Sequence, residues 1–176
     1  MGQKNKIYPG LVYFLTLTVV DWVDLFTRPV YRHIIVDSLN YCISHKGLKV
    51  YSWVLMSNHL HLIASSDKQD LSSILRDFKK YTSKKISAEI IQNPQESRKT
   101  WLLDRFEFAG RFDSKIRYFK IWAPGNEAKE MDSVEILDQK VNYIHQNPVK
   151  AEWVENEEEY IYSSARNVSG QRGLVN

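Results

Sequence analysis

The sequence predicts an α+β domain, an antiparallel sheet with helices on one face, and three observations predict it. Residues 11–20, L-V-Y-F-L-T-L-T-V-V, are mostly β-branched or aromatic and apolar on both faces, as a central strand would be. Trp53 to Ser65, W-V-L-M-S-N-H-L-H-L-I-A-S, is apolar on either side of Ser57-Asn58, the pattern of two strands joined by a tight turn. Helical periodicity precedes and follows that hairpin. Strand, helix, hairpin, helix is the opening of a ferredoxin-like split βαβ sandwich, whose two helices cover the same sheet face.

The elements follow in order. After the first strand, Asp21 to Arg28 is a loop, and Thr27 with Pro29 marks a helix start. Ile35, Leu39, Cys42 and Ile43 carry that helix to about 45, and Gly47 stops it. Leu48–Met56 and His59–Ser65 form the hairpin, with Asn58 expected to take the positive φ of its turn. Leu71, Ile74, Leu75, Phe78 and Ile86 define a second helix. The Gln92–Lys99 stretch is polar and contains Pro94, so it reads as a loop, and Trp101 to Phe108 as a short helix. Lys115 to Trp122 alternates and is the expected fourth strand, ended by Pro124-Gly125. Asp132 and Ser133 open a last helix along Val134, Leu137, Val141 and Ile144, which Pro148 is expected to end. All 176 residues are expected to form one domain, with its core over about 8–167 and a frayed tail after 168.

Composition narrows the class. Apolar residues make up 43% and charged residues 26%, as in soluble globular proteins. A net charge of +3 permits a nucleic-acid partner without arguing for one. The single cysteine, Cys42, excludes an internal disulfide and a cysteine zinc cluster. No apolar run is long enough to span a bilayer, and M-G-Q-K-N-K lacks a signal-peptide core, so a cytoplasmic, unanchored protein is expected.

Two stretches carry chemistry. Strand alternation puts His59 and His61 on one face and Leu60 and Leu62 on the other. If the leucines face the helices, the histidine face is open, and both imidazoles are expected to be replaceable without disturbing the fold. Two neutral imidazoles side by side suit a divalent metal with room left for substrate. H-x-H alone more often marks two unrelated histidines on a half-exposed strand. On the last helix Tyr143 and Asn147 stand four apart, one turn above the other and offset from the apolar stripe. Alone, that pair also suits a surface tyrosine and a helix-stop asparagine. His145 points elsewhere and reads as packing or hydrogen bonding; His33 and His45 read as surface residues. On the second helix Arg76, Lys79, Lys80, Lys84 and Lys85 interleave with Tyr81. Such a face is either solvated or tracks a phosphate backbone.

Taken together, H-L-H after M-S-N and Y-I-H-Q-N-P-V-K-A late in the chain resemble the single-tyrosine HUH transposases, in the REP-associated tyrosine transposase branch. The resemblance runs from Tyr13 to about Asn167 and includes Trp53, Asn58, Trp122 and Tyr162 to Asn167. Ser57 stands where the family usually has proline, and W-A-P-G-N over 122–126 lacks its usual polar residue and Gly-Tyr-His. The resemblance implies that His59 and His61 bind Mg²⁺ or Mn²⁺, that Tyr143 is the nucleophile and that Asn147 is a further ligand. It implies single-stranded or hairpin DNA as partner, with monomer and homodimer both open. The chemistry is consistent: a phenol of pKa near 10 is a poor nucleophile at neutral pH and needs charge neutralised at the phosphate. Two other readings stand beside it. One is a non-catalytic single-stranded nucleic-acid-binding module, since sheets of this type present aromatic residues to bases. The other is a metal-dependent hydrolase using water.

Overall fold

The computed structural model describes residues 7–67, 70–111, 113 and 119–175. Its central strand is β1, Tyr13–Thr18, flanked by β3, His59–Ser66, and by β4, Lys129–Glu130; β2, Leu48–Leu55, pairs with the far side of β3. The order β2-β3-β1-β4, antiparallel throughout, is that of a split βαβ unit. In register, Leu15 faces Leu62 and Leu17 faces Leu60, all fully buried, while Thr16 faces His61 and Thr18 faces His59 on the other side.

α1, Pro29–Tyr41, starts on Pro29, continues through a wider turn over Cys42–Lys46 and stops at Gly47 with φ 76°. α2, Leu71–Gln92, is capped by Asp70, which accepts from the Ser73 amide. α1 and α2 pack on each other, and their buried stripes (Ile35 and Leu39; Ile74, Phe78 and Ile86) join the leucine side of the sheet in one core. The loop after α2 is tied to the start of α1 by buried Glu96, which accepts from the Tyr31 hydroxyl at 2.8 Å and pairs with Arg28 at 2.8 Å. α3, Lys99–Gly110, is the short helix expected there.

Three expectations fail for physical reasons. Of the fourth strand, Lys115–Tyr118 lies outside the described residues, and the rest pairs only through a bridge from Trp122 to Val19. Ile121 and Trp122 are both buried, which adjacent residues of a one-sided edge strand cannot be. The place beside β1 goes to β4, beyond the Pro124-Gly125 turn. Second, Asn58 does not take positive φ. Its side-chain amide instead donates to the Trp22 carbonyl at 3.3 Å and to Asp24 at 3.2 Å, clamping the hairpin turn to the loop after β1. Third, Pro148 does not end the last helix. α4, Val134–Lys150, capped by Ser133, runs past it, because the missing N–H falls in the final turn where the Ala151 amide still reaches the Asn147 carbonyl.

After α4 the chain returns along the outer edge of β2: the Leu55 amide reaches the Tyr162 carbonyl and the Ser164 amide the Trp53 carbonyl, both at 2.9 Å. α5 follows at Ala165–Val168. The stretch beyond, expected to fray, docks instead: Val175 is buried and Asn40 donates to the Leu174 carbonyl at 2.9 Å. No described helix is long and apolar enough to cross a membrane.

Candidate active site

The histidine side of the sheet is not open. α4 packs across β2 and β3 on that side, opposite α1 and α2, and its buried residues are Ile144, His145 and Pro148 rather than the Val134 end, which is 68% exposed. His61 is therefore only 5% exposed and His59 half-buried, so the expectation that both can be removed without touching the fold is corrected. The two rings lie 4.6 Å apart between centroids. His61 stacks on Phe14 at 5.2 Å and meets the edge of Tyr143 at 5.3 Å.

A hydrogen bond sets the His59 tautomer. Asn58 spends its NH₂ on the Trp22 carbonyl and Asp24, so its oxygen is the atom 2.7 Å from His59 Nδ1. An amide oxygen only accepts; His59 Nδ1 thus carries the proton, and Nε2 keeps its lone pair. Thr16 Oγ1, opposite in register, lies 3.0 Å from His61 Nδ1, and a main-chain bond to Leu15 also holds that ring. Burial, then His59 and Lys140, push the His61 pKa down to about 3, and burial lowers that of His59. Both imidazoles are neutral at pH 7, and His59 Nε2 keeps the lone pair with which a neutral imidazole can bind a divalent metal.

Tyr143 is 38% exposed, its ring edge on Phe14 as well as His61. Lys140 Nζ stands 5.1 Å and Lys150 Nζ 5.9 Å from its centroid. Asn147, one turn on, donates to the Tyr143 carbonyl at 3.1 Å with its NH₂, so a metal could be met only by its side-chain oxygen. Among the described residues no hydrogen bond joins Asn147 to either imidazole, and no three His, Cys, Asp or Glu side chains gather round one point. The structure thus brings Tyr143 to the histidines directly and sets Asn147 a turn beyond.

His145 serves packing and hydrogen bonding, as expected. It is buried, with Nε2 2.9 Å from Ser164 Oγ and 3.3 Å from Ser52 Oγ, tying α4 to β2 and the returning chain. The basic residues of α2 lie on the helix behind the sheet, across it from the histidines. Arg76 is exposed beside Asp77, Lys80 and Lys84 are exposed, and Lys85 sits over the exposed Tyr81. Lys79 differs: its ammonium is held by the Ala123 and Gly125 carbonyls, and burial, then Lys120, push its pKa down to about 8. Sequence reasoning missed Phe14, Thr16 and Lys140. The signal for the first two was the alternation of β1, which places residues 14, 16 and 18 on one face; for Lys140 it was its place three residues before Tyr143.

This fold, carrying a histidine pair under a tyrosine-bearing helix, belongs to a class of DNA-processing enzymes. The chain belongs to the IS200-like transposase family, whose model matches residues 11–115, a stretch that contains both histidines and ends before Tyr143. Among solved structures, a REP-associated tyrosine transposase bound to a REP hairpin shares the fold, with a TM-score of 0.64 at 19% identity over 99% of this chain and 89% of that one. A protein assigned as a transposase from Deinococcus radiodurans aligns at 14% identity and a TM-score of 0.49, over 82% of this chain and 95% of that one. No curated protein matches the chain.

Proposed function

We propose that this protein cuts and rejoins single-stranded or hairpin DNA through a 5′-phosphotyrosine on Tyr143. The observation that carries the reading is the contact of the Tyr143 ring with His61 within one chain, at 5.3 Å and 65°, with His59 beside it. His59 and His61, with the Asn147 carboxamide, would hold Mg²⁺ or Mn²⁺, which supplies polarisation of a non-bridging phosphate oxygen and neutralises its charge. The phenol oxygen of Tyr143 attacks phosphorus as its proton passes to solvent, the phosphorus to 3′-oxygen bond breaks, and the departing oxygen takes a proton from solvent to leave as a 3′-hydroxyl. The 5′-phosphate stays on Tyr143. One phosphoester replaces another, so a strand's 3′-hydroxyl reverses the step without a nucleotide cofactor. Lys140 and Lys150 place positive charge where the phosphate must approach.

The hairpin-bound structural relative supports DNA as the partner. The binder reading loses ground because α4 covers the sheet face that base-stacking modules of this fold leave open. The deciding experiment incubates the protein with single-stranded DNA and Mn²⁺ and looks for a covalent adduct on a denaturing gel. Cleavage without adduct would mean that water is the nucleophile.

The basic face of α2 is a separate matter, since it lies across the sheet from the histidines. We propose that Arg76, Lys80 and Lys84, with Tyr81, add affinity for DNA long enough to pass round the sheet edge, while Lys79 holds the 123–125 turn. Replacing the three together by alanine should flatten the salt dependence of binding by roughly 0.7 in log–log slope for each phosphate no longer neutralised. The rate of adduct formation at saturating DNA should not change. An unaltered slope would mark the three as merely solvated.

A further inference from the structure

Trp22 is the most exposed aromatic among the described residues, at 64%, although Val20, Val23, Leu25 and Phe26 around it are all buried. It also holds a backbone conformation that bulky residues avoid: Asp21 and Trp22 both have φ of 54°. The surrounding bonds over-determine that shape. Val19 and Phe26 donate to the carbonyls of Asn58 and Ser57 at 2.8 and 2.7 Å, and Val20 donates to the Ile121 carbonyl at 2.8 Å. Arg98 reaches the Asp24 carbonyl at 2.8 Å. Asn58 takes the Trp22 carbonyl with its NH₂ and His59 with its oxygen, so one carboxamide sets the strained tryptophan and the metal-side histidine together. The indole ends 6.1 Å from the His59 ring, edge to face, with its other surface in solvent. A hydrophobic anchor would be buried and a tolerated surface residue would not need a pinned left-handed turn. Strain held at a functional site is the expected reason for both.

Charge tells what the indole meets. Asp21 and Asp24 flank it in sequence; Arg105 faces Asp21 at 3.8 Å, and Arg98 donates to the Asp24 carbonyl at 2.8 Å. These charges are already paired or hydrogen-bonded, so what the surface presents is the indole, which accepts the uncharged face of a base.

We infer that Trp22 is a nucleobase-stacking subsite at the edge of the His59/His61 site, where a base of the bound strand next to the scissile phosphate lies on the indole. This rests on the single-strand reading of that site. Stacking accepts any base because every base has a π-face, so the subsite positions the strand without reading its sequence.

The test measures affinity for two probes of equal length and charge, dT₂₀ and an abasic twenty-unit phosphate ladder. Trp22→Gly removes the indole and suits the positive φ, so it keeps the fold; Trp22→Phe keeps a smaller stacking face. The expected result is about a tenfold loss for dT₂₀ with Trp22→Gly, an unchanged affinity for the ladder, and partial recovery with Trp22→Phe. Equal affinities of wild type and Trp22→Gly for dT₂₀, or equal losses on both probes, would overturn the subsite. Intact base-dependent binding without any covalent adduct would leave it standing and sink the tyrosine chemistry instead. Failure of the wild-type protein to bind either probe would remove both.

Discussion

Tyr143→Phe is expected to bind single-stranded DNA as the wild type does and to form no covalent adduct, with strand cleavage down on the order of 10⁴-fold or more, the scale of losing a nucleophile. The clean split follows from how the side chain is held. Its contacts to His61 and Phe14 are ring contacts, and Lys140 and Lys150 also face the ring. Phenylalanine preserves all of these and deletes only the hydroxyl. Three other phenols are poorly placed to replace it. The Tyr160 hydroxyl is buried on the Leu55 carbonyl at 2.7 Å, and burial pushes its pKa up to about 12. Tyr162 is buried under Arg32, and Tyr81 is exposed on α2, across the sheet from the histidines. Adduct formation by the Phe variant, read on a denaturing gel, would show that another nucleophile acts and would dissolve the link between α4 and the histidines.

What the sequence shows of this molecule depends on how local each signal is. Pro29, Gly47 and Ser133 mark helix ends because caps and stops act within one turn, and the structure has each where the sequence puts it. The hairpin and the alternation of His59 and His61 are local too. Failures come where a residue answers a distant part of the chain. Asn58 looks like a turn residue with positive φ, but its amide serves Trp22 and Asp24, and the strained conformation moves to Asp21 and Trp22. The alternation before Trp122 looks like an edge strand, but Ile121 is buried along with Trp122. The same limit hides the covering of the site. An amphipathic stripe says that α4 packs, not that it packs on the histidine side; contacts between residues far apart in sequence, such as those of His145 with Ser52 and Ser164 across 93 and 19 residues, hold it there.

That covering sets the second large effect, which concerns pH and metal. His61 is neutral in the folded protein down to about pH 3, whereas in the unfolded chain it takes a proton near 6.5. Between those values the unfolded state binds more protons, so stability is fully present above about 6.5 and falls as pH drops through the window. One proton's worth of linkage makes the loss on the order of 1–2 kcal/mol between pH 6.5 and 5. Urea unfolding at several pH values should show it, and His61→Gln should lack it. Alanine is the wrong probe, because removing a buried ring beside Thr16 costs on the order of 2–4 kcal/mol by itself. The same burial changes metal binding. A pair of ordinary exposed histidines would lose about a hundredfold in affinity between pH 7.5 and 5.5, since two protons must leave. Here burial keeps His61 neutral throughout and lowers the His59 pKa, so the loss of Mn²⁺ affinity from pH 7.5 to 5.5 should be smaller than the roughly tenfold of a single ordinary histidine. His61→Gln should weaken it at both pH values. A hundredfold pH dependence in the wild type would mean that the rings are reached by water and protonate freely. The packing of α4 over them would then not be the state that binds metal, and the Tyr143 to His61 contact would lose its meaning for catalysis.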